Sequence, residues 1–222
     1  KALADEFAKD FFDFNTKNNR KRLAKEIYLC PRHSSAILTP TYARICAVMN
    51  PFCPEIAKAV LTQLTKDIEK SLMDKTDDTF EMRSHTLKFI CEFVKFGIGP
   101  AGLILECFGK LLDDFSSTSA EMCSVLLQAC GRYLLNTPGT DVRAKNFLDR
   151  MMRLKKAKNL PLSVDVALED AYFSLQTAFR TEPEKKDPLN EFIFQLAHFP
   201  KHPQHETSLR LAVHCSPARW RL

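Results

Sequence analysis

The sequence predicts an all-α fold, an α-solenoid of about five antiparallel helix pairs with HEAT-like repeats. Three observations carry that prediction. Apolar residues recur on a 3.6-residue period along most of the chain, proline and glycine interrupt the pattern about once per helix length, and no stretch alternates convincingly like a strand. The tetrapeptides "ARIC" (43–46), "KFIC" (88–91) and "LQAC" (127–130) lie about 40 residues apart, the period of a HEAT-type helix pair.

Taken in order, Leu3, Phe7, Phe11 and Phe14 fall at i, i+4, i+8 and i+11, one stripe, and Asn15 with Thr16 supplies a break and a cap; Phe7, Phe11, Leu23 and Ile27 are expected to seal the first helix pair onto the second. Leu23, Ile27 and Cys30 mark a second helix that Pro31 should end. A third starts near Pro40, carries Ile45, Val48, Met49 and Phe52, and stops at "NPFCP". The fourth follows Pro54, with Ile56, Val60, Leu64, Ile68 and Leu72 inward and Lys58, Lys66, Glu69 and Lys70 outward. Residues 80–96, "FEMRSHTLKFICEFVKF", are apolar nearly all round and predict a central buried helix, paired with "AGLILECFGKLLDDF" across a short glycine-rich turn. Met122, Val125, Leu126, Ala129 and Tyr133 form the next stripe, with Ala129 expected at a tight helix-helix contact, and "NTPGT" ends it. Phe147, Met151 and Leu154 follow, then Val164, Leu168, Ala171, Leu175 and Phe179 after Pro161. Past the charged linker "TEPEKKDP", Leu189, Phe192, Ile193 and Leu196 form the last stripe. The helical-repeat domain is expected to span 1–199, with 200–222 a disordered tail or linker.

At 222 residues and 45% hydrophobic, the chain can bury one sizeable core or one repeat array. It opens at Lys1 already reading as helix by Leu3, which suggests a piece of a longer protein. No window approaches the ~20 apolar residues of a membrane helix, and no basic start runs into an apolar core and small-residue cleavage site. No membrane partner is therefore expected. The eight cysteines mostly sit inside apolar helical stretches and form no C-x-x-C pair, so they read as small buried hydrophobes in a reducing, cytoplasmic compartment. A formal charge of +5 and a pI near 8.7 permit a nucleic-acid partner without demanding one.

No catalytic, cofactor-binding or metal residues emerge, and the chain is expected not to be an enzyme. "GIGPAG" at 97–102 satisfies a dinucleotide-loop spacing, but that fingerprint needs neighbouring strands, and Pro100 removes an amide hydrogen from the loop. Gly97 fits a helix C-cap and Pro100 the first turn of the next helix. Cys30 with His33, and His214 with Cys215, lack a third group to orient the base. His198, His202, His205 and His214 match no zinc template. Asp113 and Asp114 are adjacent, so on a helix they point in different directions.

One basic strip stands out. On a helix Lys17, Lys21 and Lys25 stack at i, i+4 and i+8 with Arg20 and Arg22 flanking, while Leu23 and Ile27 face away. No aromatic is interleaved for base stacking, so an RNA contact here would be to phosphate, salt-sensitive and indifferent to sequence. Arg150, Arg153, Lys155, Lys156 and Lys158 form a second basic run that such a surface could add.

The segments "NTKNNRKRLAKEIYLCPR", "TPTYARICAVMNPF", "EMRSHTLKFICEFVKFGI", "LLDDFSSTSAEMCSVLLQACGRYLL" and "MMRLKKAKNLPLSVDVALEDAYF" stand in the order and spacing of one family. From about Asp10 to Phe199 the chain resembles the middle domain of translation initiation factor four-G. More narrowly, it is similar to the second of three such domains in the up-frameshift scaffolds of nonsense-mediated mRNA decay. The resemblance implies five stacked helix pairs and a non-catalytic scaffold or spacer role in the cytoplasm, perinuclear region included. The implied partners are other decay factors and neighbouring domains of the same scaffold. In that family the best-known contacts, to an adaptor and a helicase, belong to other regions, so no residue here takes those roles. The alternative is an RNA-binding helical-repeat domain using the basic strips, with weak sequence-independent contact.

Overall fold

Helix ends lie where local chemistry can satisfy the free backbone groups. The computed structural model describes residues 2–33, 36–73 and 80–180, with side chains over 3–29, 37–72 and 80–176. These residues form α1 (Ala2–Asp13), α2 (Lys17–His33), α3 (Thr39–Met49), α4 (Pro54–Met73), α5 (Phe80–Lys95), α6 (Ala101–Asp113), α7 (Ser117–Asn136), α8 (Asp141–Ala157) and α9 (Leu162–Arg180), with one 3-10 turn, Ala36–Leu38, leading into α3. No described residue lies in a strand. Before α2, the Thr16 hydroxyl accepts the Asn19 amide at 3.2 Å; before α7, the Ser116 hydroxyl accepts that of Ser119 at 3.2 Å. Both are N-caps that satisfy a free first-turn amide. At the end of α5, Gly97 has φ 73°, its amide donates to Val94 O at 2.9 Å and the Ile98 amide to Phe93 O at 3.0 Å. That paired arrangement closes the helix. "GIGPAG" is thus a helix stop followed by extended Pro100, which caps α6, with helix rather than strand before it.

The helices pack as an α-solenoid within one compact unit, Lys1–Ala178. Helices two places apart in sequence pack within layers: α1 on α3, α3 on α5 and α5 on α7 in one layer, α2 on α4 and α6 on α8 in the other. Contacts of α4 with α5 and of α6 and α8 with α7 join the layers. Four successive pairs and α9 are described. The stripe Leu189, Phe192, Ile193 and Leu196 that would complete a fifth pair, and the segment from 200, lie outside the described residues.

Helix α5 is central as predicted, touching α2, α3, α4, α6 and α7. Its Phe89 and Phe93 are fully buried, with ring centroids 5.0 Å apart edge to face, a favourable aromatic geometry. Ile56, Val60, Leu64 and Ile68 of α4, and Val164, Leu168, Ala171 and Leu175 of α9, are buried on the predicted faces. Helix α5 is less apolar than predicted, because Lys88 and Glu92 are half-buried and Lys95 exposed along one edge.

Four other expectations fail locally. The α1 face against α3 is Ala4, Ala8 and half-buried Phe11, whereas Leu3, Phe7 and Phe14 are exposed. Among the described helices α1 has a neighbour in its layer on one side only; small alanines allow close approach there, and the aromatic stripe turns outward. Helix α2 runs two residues past Pro31, since a proline removes one hydrogen bond and strains the preceding turn without obliging the helix to stop there. Phe52 lies beyond the end of α3, 71% exposed, with its ring edge to face on Phe12 at 5.2 Å. Finally, α6 lies mainly on α7 and α8 and makes only minor contact with α5.

Candidate interaction surface

The basic strip on α2 divides in two. Lys17, Lys21, Arg22 and Lys25 are exposed, while Ala24 and Ile27 are buried and Leu23 half-buried on the opposite side, which lies on α4. Arg20 belongs to the interior edge. Its Nη1 donates to Asn15 Oδ1 at 3.0 Å and its Nε stands 2.8 Å from Glu55 Oε1, while the Asn15 amide reaches Cys53 Sγ at 3.5 Å. Arg20 therefore ties the α1–α2 turn to the start of α4, where the Glu55 carboxylate also suits the positive end of that helix. The strip available to a partner is the other four cations.

The second basic run is more fully committed. Lys155, only 9% exposed at its side chain, lies 2.7 Å from Asp165 and 2.8 Å from Glu169, bridging α8 to α9. These two hydrogen bonds, Asp165 first, hold the Lys155 ammonium above the ordinary lysine range. Arg150 pairs with Asp113 of α6 at 2.9 Å, and Lys158 Nζ donates to Phe115 O at 2.6 Å. Arg153 and Lys156 are exposed. Arg150, Lys155 and Lys158 thus hold the array together, and the run lies apart from the α2 strip in sequence, on and just after α8. Asp113 serves as the partner of Arg150, and Asp114 lines a different crevice.

Four of the buried thiols, Cys46, Cys91, Cys107 and Cys123, are held protonated, whereas the hydrogen bond shared with Cys91 lowers Cys130. Cys46, Cys53, Cys91, Cys107, Cys123 and Cys130 are free and buried. Burial pushes the Cys46 thiol up to about 12 and Cys107 to about 11, and raises Cys123 further still. A hydrogen bond to Cys130 and then burial keep Cys91 protonated. Thiols so raised stay in the unreactive form. The side chains of Cys30, His33, His198, His202, His205, His214 and Cys215 lie outside the described residues. Among those described, no three His, Cys, Asp or Glu side chains converge as metal ligands, and no helix is long and apolar enough to cross a membrane.

Two concavities stand out among the described residues. A crevice of about 150 Å³ lies among α4, α5, α6 and α7, with Arg83, Asp114 and the Ser116 cap on its wall. A wider groove of about 310 Å³ opens between the start of α3, the outer edge of α5 and α7, lined by Thr39, Pro40, Lys88, Glu92, Lys95, Val125, Gln128 and Ala129. Ala129 therefore borders open space. The close helix contact lies two residues on at Gly131, against Leu175. Sequence reasoning missed this groove, although the i, i+4, i+7 spacing of Lys88, Glu92 and Lys95 signals a wet edge on α5.

The family model described as "MIF4G domain" matches residues 1–182. The chain is 34% identical over 197 residues, 87% of its length, to human "Regulator of nonsense transcripts 2" and likewise to Arabidopsis thaliana "Regulator of nonsense transcripts UPF2". It spans 15% and 16% of those proteins. It is also 22% identical over 176 residues, 79% of its length and 26% of the relative's, to "Pre-mRNA-splicing factor CWC22" of Debaryomyces hansenii.

Proposed function

Because the chain belongs to the MIF4G domain family, we propose that it is a non-catalytic scaffold domain of a nonsense-mediated mRNA decay factor, acting in the cytoplasm and corresponding to the second such domain of its relatives. Its helical layers serve as a spacer and a protein-binding surface for other decay factors and neighbouring domains. The single observation that carries this reading is the 34% identity over 197 residues, 87% of the chain, with regulators of nonsense transcripts. The commitment of Arg20, Arg150, Lys155 and Lys158 to internal bonds supports it further, since those cations hold helices together.

Lys17, Lys21, Arg22 and Lys25, exposed on one side of α2, favour a second reading, in which RNA binding is the main function. The two separate by salt and nuclease: phosphate contacts weaken by orders of magnitude as salt rises, and apolar protein contacts hardly respond. The test is a pull-down from cell extract on the immobilised chain, with and without ribonuclease, scored by mass spectrometry. Decay factors retained after ribonuclease support the scaffold role, and loss of every recovered protein would transfer the assignment to RNA.

A further inference from the structure

Resting on the scaffold reading above and deepening it, we propose that the groove between α3, α5 and α7 is the docking site for an acidic segment of a protein partner. Carboxylates of that segment meet Lys88 and Lys95, and its small apolar side chains rest on Val125 and Ala129.

The charge pattern selects the partner. Lys88, Glu92 and Lys95 stand at i, i+4 and i+7 on α5, so all three face one way. Val125, Gln128 and Ala129 hold the facing edge of α7. Glu92 is the one carboxylate among these residues, and it is bonded to Lys95. Lys88 is half-buried and meets no carboxylate among the described residues. Taking a cation part-way out of water without a counter-charge is unfavourable, and an incoming carboxylate offsets that cost. Two lysines against one glutamate leave the groove lining with a net positive sign, which steers acidic partners to it.

The wall and floor select a polypeptide. Thr39, 2% exposed, lines the groove, and its buried hydroxyl has no hydrogen-bond partner among the described residues. Val125 and the Ala129 methyl give an apolar floor with room above it. The lining carries no aromatic ring on which a base could stack, so single-stranded RNA loses its main sequence-tolerant contact.

The test uses the complete 222-residue chain and a phage-displayed library of random 12-residue peptides, followed by fluorescence polarisation of the best labelled peptide. We expect enrichment of Asp and Glu beside small apolar residues. Binding should weaken at least tenfold in the double variant Lys88→Glu/Lys95→Glu and in Ala129→Phe, which fills the groove without altering charge, both retaining a near-wild-type melting temperature. Enrichment of neutral or basic peptides, equal binding by both variants, or an oligouridine 20-mer outcompeting every peptide would overturn the proposal. Should the lysine variant fail to fold, Ala129→Phe decides alone, retained affinity being the contrary result. Loss of groove binding with ribonuclease-resistant recovery of decay factors intact removes this site only; loss of that recovery removes the scaffold reading itself.

Discussion

Gly131 of α7 and Leu175 of α9 approach so closely that a Cβ added to the glycine would stand 2.8 Å from Leu175 Cδ1 and 2.9 Å from Cδ2. Both residues are buried. The glycine is a packing device in mid-helix, where it ordinarily costs about 1 kcal/mol against alanine.

Gly131→Leu should therefore destabilise the fold by about 1–3 kcal/mol through overpacking, despite its better helix propensity. Gly131→Ala should change stability by less than about 1 kcal/mol, because the Leu175 methyls lie at the end of a flexible side chain. Urea denaturation of each variant, alone and with Leu175→Ala, measures the coupling. A Gly131→Leu cost that Leu175→Ala does not reduce would show that the strain lies elsewhere.

The two classes of cation on α2 should respond differently to substitution. Replacing Lys17, Lys21, Arg22 and Lys25 with Gln should move stability by within about 0.5 kcal/mol each, as surface changes do. Arg20→Gln removes a partly solvated ion pair and a hydrogen bond to Asn15, and should cost about 1–2 kcal/mol. Thermal melts of the four-residue variant with and without Arg20→Gln check this, and equal melting temperatures would be the contrary outcome.

Lys155→Met should cost about 1–3 kcal/mol, since it leaves Asp165 and Glu169 facing an apolar side chain. The pH dependence has a definite sign. The folded-state value of Lys155 is raised above the ordinary 10.5, so its contribution is fully present below that pH and is lost as pH rises through the raised value. The difference in stability between wild type and Lys155→Met should stay constant from pH 7 to 10 and shrink above 10.5.

The thiols act in an earlier window. Cys46 and Cys107 titrate at about 12 and 11 in the folded chain against an ordinary value of 9.0. Above pH 9 the unfolded chain therefore releases protons that the folded one keeps, and stability falls by about 1.4 kcal/mol per pH unit for each such thiol. Cys46→Ala should flatten the decline between pH 9 and 11 even though it lowers stability at neutral pH. An unchanged slope would mean that this thiol is not held protonated by burial.

The long stripes were legible because period and burial coincide there: α4 buries Ile56, Val60, Leu64 and Ile68, α9 buries Val164, Leu168, Ala171 and Leu175, and "GIGPAG" resolves as a glycine stop. The failures fall where tertiary context overrides a helix's own pattern. Leu3, Phe7 and Phe14 form an apolar stripe, yet the close alanine contact with α3 decides which way α1 faces. On α7, Ala129 and Gly131 are both small, and only the position of Leu175 shows which one is packed tightly. The division of the basic strip was invisible for the same reason, since Glu55 lies 35 residues from Arg20 in sequence and 2.8 Å away in space. A groove made by three helices has no single-helix signature beyond the polar edge of α5.

The half-life of a reporter transcript carrying a premature stop codon tests the central claim most directly. It should be measured in host cells whose gene lacks the segment for residues 1–182 in frame, and in cells where that segment is restored with Lys17, Lys21, Arg22 and Lys25 changed to Gln. The scaffold account predicts that the deletion lengthens the half-life toward that of the normal transcript and that the Gln version restores rapid decay. Unimpaired decay after the deletion would contradict a role in this pathway, and failure of the Gln version to restore it would make the basic strip, and hence RNA, the functional surface.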